Sequence, residues 1–232
     1  MRALRRRSVK LPEIAPALFW PREHRIAYPS CMSGVEQRRA ERRAQARRTI
    51  RLEVVDAARR VAERDGARNL SLRNVASEAG YAPAALYGYF RNRDELVLAL
   101  AADDLGAMAR AMRETAIAHQ AEFRLHAVAS MAVDLLANGE TFAAASACMN
   151  HSTDSEAERL FNGRLISVLT ALSAAAGLSA EHRVSQADVV LLAAAVTGLA
   201  LLRRAGRLQA LGFSVEEILA RLPQLSSAAA AS

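Results

Sequence analysis

The side chains in this sequence whose types and spacing suit chemistry are hydrogen-bond donors and cations rather than nucleophiles. Within residues 70–96 Tyr87 and Tyr89 carry hydroxyls among the small residues Ala82, Ala84, Ala85 and Gly88. Phenolic hydroxyls pair with phosphate oxygens, and a slim surface between them can approach the edge of a base. A second group, Arg38, Arg39, Arg42, Arg43, Arg47, Arg48 and Arg51, lies just upstream. Both groups have a plainer reading: tyrosines as half-buried packing residues and arginines as a solvated charge run. No nucleotide loop, metalloprotease helix, nucleophile elbow or paired-carboxylate motif accompanies them, so an enzyme is not expected. Cys148, His151 and Asp154 fall three apart. One residue of each type lacks the closed ligand set of a structural zinc site, and Asp154 reads better as a helix cap, so neither metal nor cofactor is expected.

The elements that must position these residues are all helical. Five of the six prolines lie within the first 83 residues and the sixth is Pro223. The intervening stretch therefore holds none of the residue that costs about 3 kcal/mol inside a helix. No sustained alternating Val/Ile/Thr segment argues for a strand. Residues 1–35 are proline-rich without helical period and are expected to be unstructured; Met32 directly precedes the first helical text and is a candidate biological start. From Glu36 to about Asp65 a helix is expected, with Ile50, Val54, Ala58 and Val61 on one face and Gly66 as its stop. Ser71 caps a short helix over 72–79, Gly80 supplies a tight turn, and Pro83 opens a second short helix that closes near Phe90, with Leu86 and Phe90 as its core anchor. Asn92 with Glu95 starts a long helix over 93–118. Further helices are expected over 121–137, 141–149, about 155–176, 186–204 and 215–222, followed by a frayed tail over 226–232.

Charge divides unevenly along this plan. Residues 1–100 hold 21 Lys and Arg against 11 Asp and Glu, whereas residues 101–232 hold 10 against 13. A basic front joined to a mildly acidic remainder suits a polyanion met at one end. Two cysteines are too few for a disulfide framework, prolines interrupt any signal peptide, and the apolar run over 189–202 is shorter than a membrane span of about 20 residues. A cytoplasmic protein without a membrane partner is expected.

The stretch over 70–96 resembles the tetracycline-repressor (TetR) family. It carries Ala-x-x-Ala-Gly at Ala76 to Gly80, Leu-Tyr-x-Tyr-Phe at Leu86 to Phe90, and then Arg93, Asp94, Glu95 and Leu96, after a first helix ending Ala-Glu-Arg-x-Gly at Ala62 to Gly66. The close resemblance covers about 49–98. It implies an all-α protein with a three-helix helix-turn-helix DNA-binding domain over 36–98, including the arginine-rich arm. A helical effector-binding and dimerisation domain would follow over 99–225. By the same resemblance Ser71, Arg73, Tyr87, Tyr89 and Arg93 are expected at phosphates, with Arg73 also within reach of a base edge, and Ala84 and Ala85 at base edges. Arg47 and Arg48 in the arm are left between a solvated charge run and contact with phosphates or the minor groove of DNA. The sequence departs from the family where Ala82 replaces a capping Ser or Thr, Ala85 a common Thr, and Gly88 a larger residue, so hydrogen-bonded base reading by this helix is reduced.

A homodimer through 186–204 and 215–222 is implied, and Val189, Val190, Leu191, Leu192, Val196, Leu199, Leu201 and Leu202 are apolar nearly all round that helix. The middle helices would enclose an unidentified small-molecule effector, with Phe123, His126, Met131, Phe142, Met149, Phe161 and Arg164 as candidate lining. The expected function is a ligand-responsive regulator, most simply a repressor, that binds a palindromic operator in double-stranded DNA. The alternative is a DNA-binding regulator or architectural protein with no small-molecule effector.

Overall fold

The computed structural model describes residues 34–148, 155–178 and 183–221. By packing, the chain divides into a unit of residues 1–40, of which only the exposed helical stretch 34–40 is described, and a unit of residues 41–232. Helix α1 (Gly34–Asp65) is built from strong helix formers, and its later turns bury Val54, Ala57, Ala58 and Val61. Gly66 ends it at φ 83°, a conformation that side chains with a Cβ avoid, and a 3₁₀ turn, Ala67–Asn69, follows. In α2 (Leu72–Ala79) the Ser71 hydroxyl accepts a hydrogen bond from the Asn74 amide at 3.1 Å. Gly80 at φ 75° turns the chain into α3 (Pro83–Leu86). Ala82 stands at the N-cap with no side-chain bond, the vacancy expected of it. Leu86 and Phe90 are fully buried, which fixes α3 and the turns after it to α1, α2 and the following helix.

That helix is α4 (Arg93–Ala118), capped by the Asn92 side chain. It carries Leu96, Leu100, Leu105 and Met112 into the core, and its most extensive partner is α7 (Glu156–Ala175), which contributes Phe161, Val168 and Leu172. Helices α5 (Ala121–Asn138) and α6 (Thr141–Cys148) also pack on α4, and α8 (Arg183–Arg204) lies chiefly on α5. Short α9 (Arg207–Ala210) and α10 (Val215–Leu219) close the described chain, the latter with both bonds of a Ser214–Glu217 capping box. The described residues are helices, turns and bends throughout, in agreement with the all-α expectation.

The expected boundary at 98/99 falls inside α4, so one uninterrupted helix runs through both of the regions read from the sequence. Side-chain ties add to it. Arg59 of α1 pairs with Asp103 at 2.7 Å and with Asp104, which also accepts from Thr141. Burial alone would lower the Arg59 pKa, but the bonds and charges of Asp104 and Asp103 outweigh it and hold it above its usual value. Glu140 accepts from the Ala67 amide at 3.3 Å. The structure starts α1 two residues before Glu36, ends α3 sooner than Phe90 and adds α9, which lay unread between Gly206 and Gly212. The unstructured segment expected over 1–35 lies outside the described residues up to 33, as does the tail over 226–232. Because Leu86 is wholly enclosed, Leu86→Ala should lower stability by about 2–5 kcal/mol; urea unfolding followed by circular dichroism measures this.

Candidate nucleic-acid interface

The short helix α3 is exposed where it should be if it meets another molecule. Ala82, Pro83, Ala84 and Ala85 all face solvent, as does Gly88, and Tyr87 is 62% exposed despite its size. The remainder of the turn is gripped from behind by α1. Arg47 donates to the Gly88 carbonyl at 2.8 Å and sits 5.1 Å from the centre of the Tyr89 ring. Arg51, one helical turn on, donates to the Tyr89 carbonyl at 2.7 Å and lies 4.5 Å from the centre of the Phe90 ring. Both arginines thus combine a charge-assisted bond to a free carbonyl with a cation–π contact, which fits a planar guanidinium better than an ammonium. Arg51 also reaches Glu156 at 3.5 Å.

Position by position, the expected contact residues fall into two groups. Arg73, Ala84, Ala85 and Tyr87 are exposed, and Arg73 and Tyr87 have no hydrogen bond or ion pair to the described residues. Arg48 is exposed on α1. The others already serve the scaffold: Ser71 as the cap of α2, Arg47 as the clamp just described, Tyr89 half-buried against the core. Arg93 donates to the carbonyls of Leu70, Ala67 and Arg68 at 2.9, 3.0 and 3.2 Å, so its guanidinium closes the carbonyl end of the 3₁₀ turn. Among the residues sequence reasoning did not single out, Arg51 matters most. Its spacing of four from Arg47 was the available signal, but a run of seven arginines conceals which one turns inward.

A second ion-pair group steadies α2 against α1. Glu78 accepts from Arg60 at 2.8 Å and from Arg64 at 3.0 Å, and those two hydrogen bonds, Arg60 first, hold its carboxyl below the ordinary glutamate range. Tyr81 donates to Glu53 at 2.6 Å, and that bond raises the phenol's pKa.

The expected effector lining does not come together. Phe123 is 59% exposed, Phe161 is packed inside the core, and His126 and Met131 are half-buried on α5. Only Phe142 borders the apolar cavity between α4, α5, α7 and α8, whose volume is about 50 Å³. Arg164 lines a different cleft, and Met149 lies outside the described residues, as do His151 and Asp154. Apolar spacing identifies an inward face but not whether that face meets a cavity or another side chain. No metal-holding group of His, Cys, Asp or Glu occurs among the described residues.

An exposed short helix set by a glycine turn against two supporting helices, with arginines and hydroxyls around it, defines a helix-turn-helix unit of the kind that docks on nucleic acid. Residues 54–100 match the family model described as bacterial regulatory proteins, tetR family. The HTH-type nicotine-responsive transcriptional repressor HdnoR of Paenarthrobacter nicotinovorans is 45% identical over 62 residues, covering 27% of this chain and 32% of that protein. The aligned region thus spans about a third of that relative's length. The regulatory protein SCO4313 has the same fold with a TM-score of 0.52 at 22% identity, covering 76% of this chain and 94% of that one. FadR of Bacillus halodurans gives 0.50 at 17% identity, covering 75% and 95%. The similarity to the tetR family thus lies in residues 54–100, which hold the helix-turn-helix unit.

The Glu78 pKa supplies a direct check. A lowered folded-state value means that the pairing stabilises fully above the ordinary carboxyl pKa and is lost as pH falls through the lower folded value. A carboxyl NMR titration should place the Glu78 midpoint below that of a free glutamate, and Arg60→Gln should move it upward.

Proposed function

We propose that the chain is a ligand-responsive repressor that binds a palindromic operator in double-stranded DNA as a homodimer. The observation that carries DNA docking is the exposed surface of Ala84, Ala85, Tyr87 and Arg73, held rigid from behind by Arg47 and Arg51. Tyr87 and Arg73 supply donors for phosphates, and the alanines supply methyl contact to base edges such as thymine. In this reading Arg48 adds salt-dependent attraction, whereas Ser71, Tyr89 and Arg93 act chiefly by fixing the helices, with phosphate contact through whatever donors they retain.

Dimerisation is supported by α8. Its buried side, with Val189, Val196 and Leu199, packs within the body, while Leu191 is 70% exposed and Val190, Leu201 and Leu202 are exposed beside it. Its stretch Ser185–Arg204 is long and apolar enough to cross a membrane by length and composition, more than the sequence run alone suggested. With one face already in the protein core, an apolar outer face suits a second copy of the same helix, and symmetric pairing sets two heads against two half-sites. Such a protein works in the cytoplasm.

Repression is supported by the name of the relative that resembles the head, a nicotine-responsive transcriptional repressor of which the similarity covers 32%. The second reading, a regulator with no effector, is supported by the cavity that Phe142 borders among the described residues, whose volume of about 50 Å³ is well below the roughly 300–1,000 Å³ of usual small-molecule sites.

Selection of bound fragments from genomic DNA at fixed salt tests the central claim. It should yield a two-fold symmetric site, and recovery of no preferred sequence would remove operator binding. Tyr87→Phe, which deletes one charge-assisted bond to phosphate, should weaken that binding by roughly tenfold or more without altering the preferred sequence. Leu191→Glu should shift sedimentation from dimer to monomer while circular dichroism stays unchanged.

A further inference from the structure

A cleft of about 310 Å³ opens between α1, α4 and α7, away from the cavity in the middle helices. Its apolar wall is formed by Leu52, Val55, Ala99, Ala102 and Leu160, and two of these, Leu52 at 61% and Leu160 at 44%, stay exposed. Three arginines, Arg48, Arg51 and Arg164, share the cleft with Asp103 and Glu156. The carboxylates are already matched: Asp103 by Arg59 and Glu156 by Arg51. Arg48 and Arg164 form no ion pair with the described residues. Subtracting the pairs leaves two cations beside an apolar wall.

We propose that this cleft binds a small organic anion with an apolar body, a carboxylate or a close equivalent, and passes its presence to the recognition turn through Arg51. The volume falls at the lower end of the usual range for small-molecule sites. A single carboxylate suffices, because Arg48 and Arg164 are the two cations of the cleft without an ion pair to the described residues and much of the remaining wall is apolar. A cation meets two uncompensated guanidiniums, and a wholly polar anion leaves Leu52 and Leu160 in water. Arg164 is shaped for this place. Its side chain lies along α4 at Gly106, where an added Cβ would stand 3.3 Å from its Cδ and Nε, so the glycine provides the space in which the guanidinium is held.

The link to the head is Arg51, which lines the cleft and also donates to the Tyr89 carbonyl, faces the Phe90 ring and pairs with Glu156. An incoming anion competes for that guanidinium and loosens its hold on the turn that follows α3. It also neutralises Arg48, one of the cations facing DNA in the proposed reading. The direction follows: ligand weakens DNA binding, and DNA weakens ligand binding by the same factor. This route to regulation rests on the proposed function, but the site itself is testable without DNA.

Calorimetry on the full chain with octanoate, 1-octanol and octylamine tests charge and apolar body together. Octanoate should bind, with the neutral and cationic analogues at least tenfold weaker. Arg164→Gln should reduce octanoate affinity about tenfold, since a charge-assisted bond is lost, and Arg164→Lys should restore part of it. Gly106→Ala, which leaves every charge in place, should also weaken binding by displacing Arg164. Hydrogen exchange at residues 86–90 should quicken on octanoate addition in the parent chain and not in Arg164→Gln. No octanoate binding, equal binding of octylamine, or binding indifferent to Arg164→Gln would overturn the site. Binding at the site with unchanged exchange at 86–90 would overturn the relay. Neither readout requires an operator, so a failure of DNA binding is seen separately in the fragment selection.

Discussion

Arg51 stands where three groups meet that otherwise have no reason to stay together: the Tyr89 carbonyl, the Phe90 ring and the Glu156 carboxylate. The turn after α3 leaves carbonyls without helical partners, since the helix ends at Leu86 and the chain continues in turns to Tyr89. An unpaired carbonyl beside a buried ring would be costly, and Arg47 and Arg51 meet that cost with donors supplied by the neighbouring helix. Everything exposed on α3 depends on this. Two exposed alanines and a proline on a helix of one turn cannot hold themselves in place, and the slimness that lets a helix approach base edges also deprives it of grip.

The scaffold could be read from the sequence because its determinants are local. Ser71, Asn92 and Ser214 cap the helices they precede, Gly80 turns with positive φ, and Leu86 and Phe90 are buried together, each signalled by residues within four positions. What escaped was set by partners distant in sequence. Arg93 and Arg73 look alike in the text, yet one is spent on three carbonyls of the 3₁₀ turn and the other projects into solvent. Arg47, Arg48 and Arg51 occupy neighbouring turns of one helix and have different occupations for the same reason. A guanidinium with five donors on a long stem takes whatever acceptor the fold brings near it.

The residues of the expected effector lining are placed by a different constraint. Of Phe123, Phe142 and Phe161, which the family resemblance puts in the effector-binding region, two lie at or in the core. Inward is not the same as around a cavity. Phe161 fills its space, Phe142 borders one of about 50 Å³, and Phe123 near the start of α5 stays in water. Arg164, the one cation in that group, leaves the apolar interior for a cleft whose wall comes partly from α1. Desolvating an arginine without a partner is expensive, so its position in a half-open cleft is the cheaper solution.

The unbroken course of α4 through the expected boundary has a mechanical consequence. Twenty-six residues form a rod about 39 Å long at 1.5 Å per residue. Its first turn is fixed to the head by Glu95 and Leu96, and its middle is bedded on α7. A rod so anchored converts rotation into displacement: a tilt of roughly 5° about its middle carries the first turn through about 2 Å, comparable to the small helix shifts that switch other assemblies. The head therefore need not deform to be repositioned. It has only to ride on a lever whose fulcrum is the α4–α7 contact.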